Sequence, residues 1–432
     1  MTSPPAVLTE IAGKHLCCGC GMCTVVCPRD VLVMRETSAG FLRVAAADLS
    51  ACSQCGLCER VCPGWGLHES VVRDRPDAAL EAYWGYAQDN RDRSEGVSGG
   101  VVTALVTELL AAGTITGALV VRWGREDVLR PEPIIARNAR EIRSAQKSRY
   151  CMVPAAAAFD ALDSFEAERL AVVGLPCHLR ALARAMDTGV IPARSIALRV
   201  GLICDRVLSY RVIDALIARA GVARDQVSAF NYRDKRARGW PGGVAVDTGD
   251  GDARFLPSRS RTQLKEAHTP IRCVVCADKF NSSADLVVGD AYGYEGEDAG
   301  EGLSAVLVRT ATGRAALEAA GGALQLLPTT GERLLRAHVK KDCAADVTAF
   351  EQIVGFPDEP DARAGRGSTS ERGGESAPSP AAARDLRWRL RAEKTDDAAE
   401  VARMIDRRLR FERWGRVLRA PLTLIRRAFR MA

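Results

Sequence analysis

The stretch CCGCGMCTVVCP, residues 17–28, returns as CSQCGLCERVCP at residues 52–63. Both copies obey one spacing: Cys, two residues, Cys, two residues, Cys, three residues, Cys-Pro. The first copy supplies Cys17, Cys20, Cys23 and Cys27 before Pro28, and the second Cys52, Cys55, Cys58 and Cys62 before Pro63. Three thiolates at two-residue gaps wrap a loop around one corner of a metal–sulfur cage, and a distant fourth closes it. The glycines in CGCGMC and CGLC let backbone amides come close to the sulfurs, where their hydrogen bonds tune a redox potential.

In bacterial ferredoxins with two clusters the fourth cysteine of each run serves the other cluster. This predicts one 4Fe-4S cluster on Cys17, Cys20, Cys23 and Cys62, and a second on Cys52, Cys55, Cys58 and Cys27. The crossing accounts for the duplication, because neither half is a complete site alone. A pair of zinc sites is the alternative, but zinc knuckles join two Cys pairs across a longer spacer and lack the third Cys and the Cys-Pro close. Cys18 falls outside the pattern and reads as a bystander.

A chain of 432 residues has room for two or three domains, and 47% hydrophobic with 26% charged residues is the composition of a soluble globular protein. The net charge of +6 is uneven. Ten arginines against Asp406 and Glu412 place +8 in residues 403–432, which leaves −2 for residues 1–402. A near-neutral body argues against nucleic-acid binding. The opening MTSPPAVLTEIAGKHL has no basic segment followed by an apolar core, so a cytoplasmic location is expected. Fifteen cysteines in that setting point to metal ligation or redox work rather than disulfides. The apolar run VVTALVTELLAAGTITGALVV (101–121) carries Glu108 and a glycine-marked turn, and reads as a buried helix and strand rather than a membrane span.

The expected fold is an α/β main domain preceded by a small α+β ferredoxin-like domain, followed by a disordered linker and a C-terminal helix. The small domain takes residues 1–70, with the strand-like VLVMRETSAGFLRV (31–44) between the cysteine runs. Residues 81–355 alternate apolar runs with helical stretches, LAVVG (170–174) and SIALRVGLIC (195–204) among them, as α/β layers do. Pro, Gly, Ser and charge dominate residues 356–384, the expected linker. Residues 385–432 form a basic tail with apolar residues at Phe411, Trp414, Leu418, Leu422, Ile425 and Phe429, and Pro421 is expected to kink it. Such a helix suits peripheral contact with an anionic membrane surface; an acidic partner or the protein's own body are the competing docking places.

Six cysteines lie beyond the first unit. Cys177, in GLPCHLRAL, stands at a predicted helix start, where the dipole favours a thiolate. Cys204 closes a predicted strand, and Cys273 and Cys276 form a C-x2-C pair. Together these four could hold a third 4Fe-4S cluster; buried packing thiols or a zinc site are the other readings. Cys151 and Cys343 read as packing residues. Ser98, Gly99 and Gly100 precede a strong helix and offer bare amides to a phosphate, although an ordinary helix cap has the same appearance. Lys147 and Arg149 in QKSRY add nearby positive charge.

The ordered set of SGGVVTAL, KSRY, VGLPCHLRAL, GLIC and CVVCADKFNSSADLVVGD behind the cysteine runs resembles the coenzyme F-420 hydrogenase/dehydrogenase beta-subunit family, which includes 7-hydroxymethyl chlorophyll a reductase. The resemblance spans roughly residues 15–350. It implies a flavoprotein that passes electrons between a redox partner protein or subunit, iron–sulfur clusters and FAD, with hydride exchange to an organic acceptor such as coenzyme F-420. On this analogy Ser98, Gly99, Gly100, Lys147 and Arg149 are flavin contacts and Cys177, Cys204, Cys273 and Cys276 are cluster ligands. His178, beside Cys177, is a candidate proton donor, with a satisfied cap as its alternative. Asp205 and Arg206 depart from the small or apolar residues expected after Cys204. A non-catalytic electron-relay subunit is the competing function.

Overall fold

The computed structural model describes residues 3–66, 79–296, 300–338, 343–357, 379–395 and 397–418, of which 411–418 are described as backbone only. The two cysteine runs fold alike, because each places a glycine in the left-handed region ahead of a one-turn helix. Gly21 (φ 80°) precedes α1 (Met22–Val25), and Gly56 (φ 71°) precedes α2 (Leu57–Arg60). A side chain at Gly21 would also press on Pro154, 3.1 Å from its Cβ position. The segment between the runs is a hairpin rather than one strand. β1 (Leu32–Glu36) pairs antiparallel with β2 (Leu42–Ala46), turned by Gly40 at φ 78°.

The main domain is an eight-stranded mixed sheet built from β3 (Glu81–Ala87), β4 (Gly117–Trp123), β5 (Pro131–Ala136), β6 (Leu170–Gly174), β7 (Ile196–Leu202), β11 (Leu286–Asp290), β12 (Ser304–Val308) and β13 (Leu324–Thr329). Its order is β13-β3-β12-β11-β7-β6-β4-β5. The central run β4-β6-β7-β11 is parallel, so these strands open their carboxyl ends on one edge. The remaining strands β8 (Val227–Asp234), β9 (Gly243–Thr248) and β10 (Ala253–Leu256) make a separate antiparallel sheet.

Side chains alternate between two cores, as the period of a strand requires. On one face α3 (Val101–Ala111) sets Leu105, Val106 and Leu109 against Val120, Val200 and Val306. The stretch 101–121 is thus a helix, a turn and the start of β4, and no helix among the described residues is long and apolar enough to cross a membrane. On the other face α4 (Pro176–Asp187) sets Leu179 and Leu182 against Leu119, Val172 and Leu307. Cys18, Cys20, Met22, Val26 and Val61 belong to that second core, so the cysteine-rich unit is packed onto the sheet beside α4. Polar contacts hold the junction: Arg184 donates to the Cys62 carbonyl (3.0 Å), Arg180 to that of Trp65 (3.1 Å), and Ala156 N to that of Cys20 (3.0 Å).

A short helix, α5 (Ile271–Val274), carries the second cysteine pair. Two tail helices follow, α6 (Pro380–Lys394) and α7 (Ala398–Leu418). α6 takes up the last residues of the span read as linker, and residues 358–378 lie outside the description. Both tail helices lie on the body as far as their side chains are described. Ala382 and Leu386 join the core of the cysteine-rich unit, and Val401 and Ile405 pack with Phe41, Met152 and Val207. The apolar tail positions Phe411, Trp414 and Leu418 fall where side chains are not described, and Leu422, Ile425 and Phe429 lie outside the described residues.

One carboxylate ties these parts together. Glu393 ion-pairs with Arg43, lies 2.8 Å from His15 Nδ1, and accepts from Ile271 N at the start of α5 (3.3 Å). Glu393→Ala strands a buried Arg43, so unfolding free energy should fall by about 3–5 kcal/mol, seen as a lower urea midpoint. A pH effect is also expected. His268 Nδ1 lies 2.8 Å from Ser209 Oγ in the core, and burial pushes the imidazole down to about 3. A neutral native histidine stabilises fully above the ordinary value of about 6.5, and each pH unit below it should cost about 1.4 kcal/mol until about 3. Urea midpoints at pH 5 and 7.5 should therefore differ in the wild type and differ by less in His268→Gln, the remainder coming from buried His15, His178 and His338.

Candidate functional site

The structure gathers Cys17, Cys23 and Cys62 in one core of the cysteine-rich unit, with Cys27, Cys52 and Cys58 packed against it. Cys17, Cys23 and Cys62 sit together, and their mutual influence is visible in the Cys23 thiol, pushed far up by burial and then by Cys17 and Cys62. Cys58 is pushed up to about 12 by burial, then by Glu59, Cys27 and Cys55. Cys62 of the second run thus lies near Cys17 and Cys23 of the first, and Cys27 of the first near Cys58 of the second. Backbone amides approach two of the sulfurs: Val44 N lies 3.5 Å from Cys17 Sγ and Gly64 N 3.4 Å from Cys62 Sγ. Cys55 is exposed, whereas Cys17, Cys20, Cys23 and Cys62 are buried. Burial therefore deepens from the second run toward the sheet.

A third gathering of thiols occupies the carboxyl-end edge of the sheet. β6 leads into Pro176 and Cys177 at the start of α4, and neighbouring β7 leads into Cys204. Two contacts bring the Cys273–Cys276 loop over these strand ends. Cys204 N donates to Lys279 O (2.9 Å), and Asn281 Nδ2 donates to Gly174 O at the end of β6 (3.0 Å). Asn281 needs the space above Gly201, where a Cβ would come within 2.6 Å of its amide. The resulting cavity is lined by Cys177, Cys204, Cys273 and Cys276, and by Cys18 from the first cysteine run.

Arg272 makes the chemistry of this cavity specific. It is 3% exposed, lines the cavity, and its Nε has no hydrogen-bond partner among the described residues. Its guanidinium is pushed above its ordinary value despite burial, because Cys276, Cys18, Cys177 and Cys273 surround it. A cation this deep costs several kcal/mol unless negative charge faces it. Neutral thiols do not provide that charge, whereas thiolates ligating a metal cluster do. No group of three or more Cys, His, Asp or Glu among the described residues closes on a single ion. The donor set, four thiols around a cavity with a buried cation, fits a cluster.

The remaining predicted residues are placed as follows. His178 lines the same cavity, and burial lowers its pKa, so it is neutral there. Asp205 and Arg206 form an ion pair at the mouth (2.9 Å), and Arg206 reaches Glu266 (3.0 Å). Ser98 Oγ donates to Asp290 at the end of β11 (2.5 Å), and Gly99 N to Ser304 Oγ (3.1 Å). Gly99 has to be glycine, since a Cβ would lie 2.4 Å from Gly85 O. Lys147, at φ 74°, ion-pairs with Asp234 (2.9 Å) and Glu95 (3.1 Å). Arg149 turns inward and donates to the carbonyls of Ser144, Ala145, Gln146 and Lys147. Cys151 is buried beside Leu208 and Tyr232, and Cys343 is buried ahead of helix Ala344–Ile353.

Sequence reasoning missed Cys18 and Arg272 in the thiol cavity. It also missed Asp290, which accepts from Arg233 (2.6 Å), Trp240 Nε1 (3.1 Å) and Ser98. An off-pattern cysteine inside an otherwise regular run, and an arginine directly before a C-x2-C pair, were the available signals. Nothing local marked Asp290, whose partners come from three separate segments.

Comparisons with known proteins follow the same division. Residues 16–67 match the description of a 4Fe-4S dicluster domain. Residues 82–160 match the coenzyme F-420 hydrogenase/dehydrogenase beta subunit N-term, and residues 167–330 its C terminus. The coenzyme F-420-dependent sulfite reductase of Methanocaldococcus jannaschii is 26% identical over 71% of this chain, which spans 46% of that protein. The coenzyme F-420 hydrogenase subunit beta of Methanothermobacter thermautotrophicus is 28% identical over 51% of this chain and 74% of its own length. The 7-hydroxymethyl chlorophyll a reductase of Oryza sativa is 24% identical over 57% of this chain and 51% of its own length. A chain of the F-420-reducing NiFe hydrogenase complex from Methanosarcina barkeri shares the fold, with a TM-score of 0.51 at 20% identity, covering 65% of this chain and 96% of that one.

If the guanidinium balances a thiolate-held cluster, Arg272→Leu should lower iron in anaerobically purified protein from about twelve to about eight atoms per chain, one cubane's worth. Arg272→Lys, which keeps the charge, should retain more of it; iron and acid-labile sulfide counts decide.

Proposed function

The chain belongs to the coenzyme F-420 hydrogenase/dehydrogenase beta-subunit family, and from that premise we propose an iron–sulfur flavoprotein oxidoreductase working between a carrier or partner subunit and an organic acceptor such as coenzyme F-420. The observation that carries this reading is the cavity at the carboxyl ends of β6 and β7, where Cys177, Cys204, Cys273 and Cys276 meet Arg272 and Cys18 of the cysteine-rich unit. When bound, the clusters supply one-electron traffic and FAD converts it to two-electron hydride chemistry.

In this proposal Cys52, Cys55, Cys58 and Cys27 form the surface-facing site where a redox partner docks. Cys17, Cys20, Cys23 and Cys62 form the buried site behind it, and Cys177, Cys204, Cys273 and Cys276 a third, opposite Arg272. The ion-paired Asp205 and Arg206 make a charged mouth, and His178 beside Cys177, whose charged form burial disfavours, is placed to accept a proton rather than to donate one.

Ser98, Gly99, Gly100 and Lys147 are proposed to take the flavin, with Lys235 added. Lys235 Nζ donates to Ser98 O (3.1 Å), and burial with Arg93, Lys147 and Arg233 pushes it down to about 8, a crowding that an anionic diphosphate would relieve. Arg149 acts through the loop whose carbonyls it gathers. Those carbonyl bonds, and the internal bonding of Ser98 and Gly99, favour a second reading: a relay subunit with clusters and no flavin.

Anaerobic flavin analysis separates the two readings. The proposal expects one FAD per chain, bleached by reduced coenzyme F-420; protein with full iron and sulfide but no flavin would leave only the relay. Lys147→Ala should raise the flavin Kd about ten- to hundred-fold, the loss of one charged hydrogen bond of about 1.5–3 kcal/mol.

A further inference from the structure

None of the three matched stretches, 16–67, 82–160 and 167–330, reaches the tail helices α6 and α7, yet both helices back the thiol cavity. Met152, Val207 and Cys273 line that cavity and share an apolar cluster with Trp388 of α6 and Val401 and Ile405 of α7. The polar contacts of α6 fall on the loop that brings in the second cysteine pair. Arg389 is 3% exposed and donates to Thr269 O (2.6 Å). One turn along the same helix face, Glu393 accepts from Ile271 N (3.3 Å), so α6 grips the loop on both sides of Pro270. Arg389 also pairs with Asp385 (2.7 Å) and lies 3.7 Å from Glu266, the carboxylate that Arg206 reaches at the cavity mouth (3.0 Å).

This loop has little means of holding its own shape. Thr269 and Pro270 are extended, Pro270 has no amide hydrogen to donate, and α5 is one turn of four residues. A turn that short does not persist alone in water. The loop's ends are tied, since Ser209 N donates to His268 O (2.9 Å) and Cys204 N to Lys279 O (2.9 Å). Between those ties, the contacts to Thr269 O and Ile271 N come from the tail. The sheet fixes Cys177 and Cys204, whereas Arg272, Cys273 and Cys276 depend on the loop. We propose that Arg389 and Glu393 are positioning residues of the cavity: from the tail they fix the loop carrying Arg272, Cys273 and Cys276, and the four thiols face one another only while α6 is docked. This rests on the reading of the cavity as a third cluster site. The tail completes a site of which the sheet provides one half.

The test compares the full chain, purified anaerobically, as wild type, Arg389→Ala, Arg389→Lys and a control, Leu109→Ala, in a core that holds no tail residue. Iron and acid-labile sulfide are counted, and iodoacetamide labelling of each cysteine is read by peptide mapping. Arg389→Ala should raise labelling of Cys273 and Cys276 about ten-fold, the change in loop opening expected from losing one charged hydrogen bond, and leave Cys17, Cys23 and Cys62 as they were. Its iron should fall by up to one cluster's worth. Arg389→Lys keeps a donor for Thr269 O and should recover part of both, while Leu109→Ala should lower the urea midpoint without selective labelling of the pair. Unchanged labelling in Arg389→Ala, or a rise spread evenly over all cysteines, would overturn the proposal. Native-state hydrogen exchange on the wild type needs no variant: the Ile271 amide and the α6 amides should open together at urea concentrations where β6 and β7 stay protected. Opening of α6 with Ile271 still protected would overturn the proposal too. Wild-type iron for only two clusters would end the cluster reading, and the labelling contrast at Cys273 and Cys276 would still decide the positioning.

Discussion

A permanent positive charge is buried among thiols, and the proposed third cluster would answer it with the negative charge of ligating thiolates. Arg272 cannot shed its proton at any ordinary pH, has little access to water, and leaves one donor nitrogen without a partner among the described residues. Desolvation and attraction act here in opposition. Burial alone would penalise the cation heavily, and the surrounding sulfurs offset that penalty only when ionised. The unligated thiols are pushed the other way: Cys273 rises to about 11, chiefly through burial. The proposed metal ligation would reconcile the two, since it would remove thiol protons and leave negative charge beside the guanidinium.

The same balance explains how far-apart segments are held in place. Arg272 sits on α5, whose first amide is bonded by Glu393 of the tail helix, and Glu393 also meets Arg43 of β2, next to the amide that approaches Cys17. On the opposite side, Arg180 and Arg184 of α4 hold the carbonyls at the end of the second cysteine run. The cysteine-rich unit is clasped between the tail and α4. The tail's described part therefore has a structural task near the ferredoxin-type site, the bland alternative to a membrane or partner role; its arginine-rich end lies outside the described side chains.

The α/β sheet contributes placement. Parallel β6 and β7 deliver Cys177 and Cys204 side by side because adjacent parallel strands end on the same edge. The helix that begins at Pro176 supplies a favourable dipole end for a thiolate. Asn281 and Gly201 then decide whether the C-x2-C loop can close over that edge, through one amide bond and the absence of one methyl group. The polar cluster around Asp290 occupies the next strand end, linking Ser98, Arg233 and Trp240.

What the sequence by itself determined is the local chemistry. The repeated cysteine spacing is written in the chain itself, so a 4Fe-4S unit near residues 16–67 could be read before any fold. Hydrophobic periodicity likewise marked β6, β7 and α3, because a strand or helix face is set by near neighbours. The hairpin within 31–44 was legible only as strand character, since its turn depends on the conformation of Gly40. Only the tertiary structure decided what meets what. Cys18 looked idle because the cavity it lines is built with Cys177, Cys204, Cys273 and Cys276 from far along the chain. Arg149 looked like a ligand-binding cation because nothing local shows that its guanidinium turns back onto four carbonyls. The first kind of contact is fixed by long-range packing and the second by the conformation of one loop, and a linear pattern encodes neither.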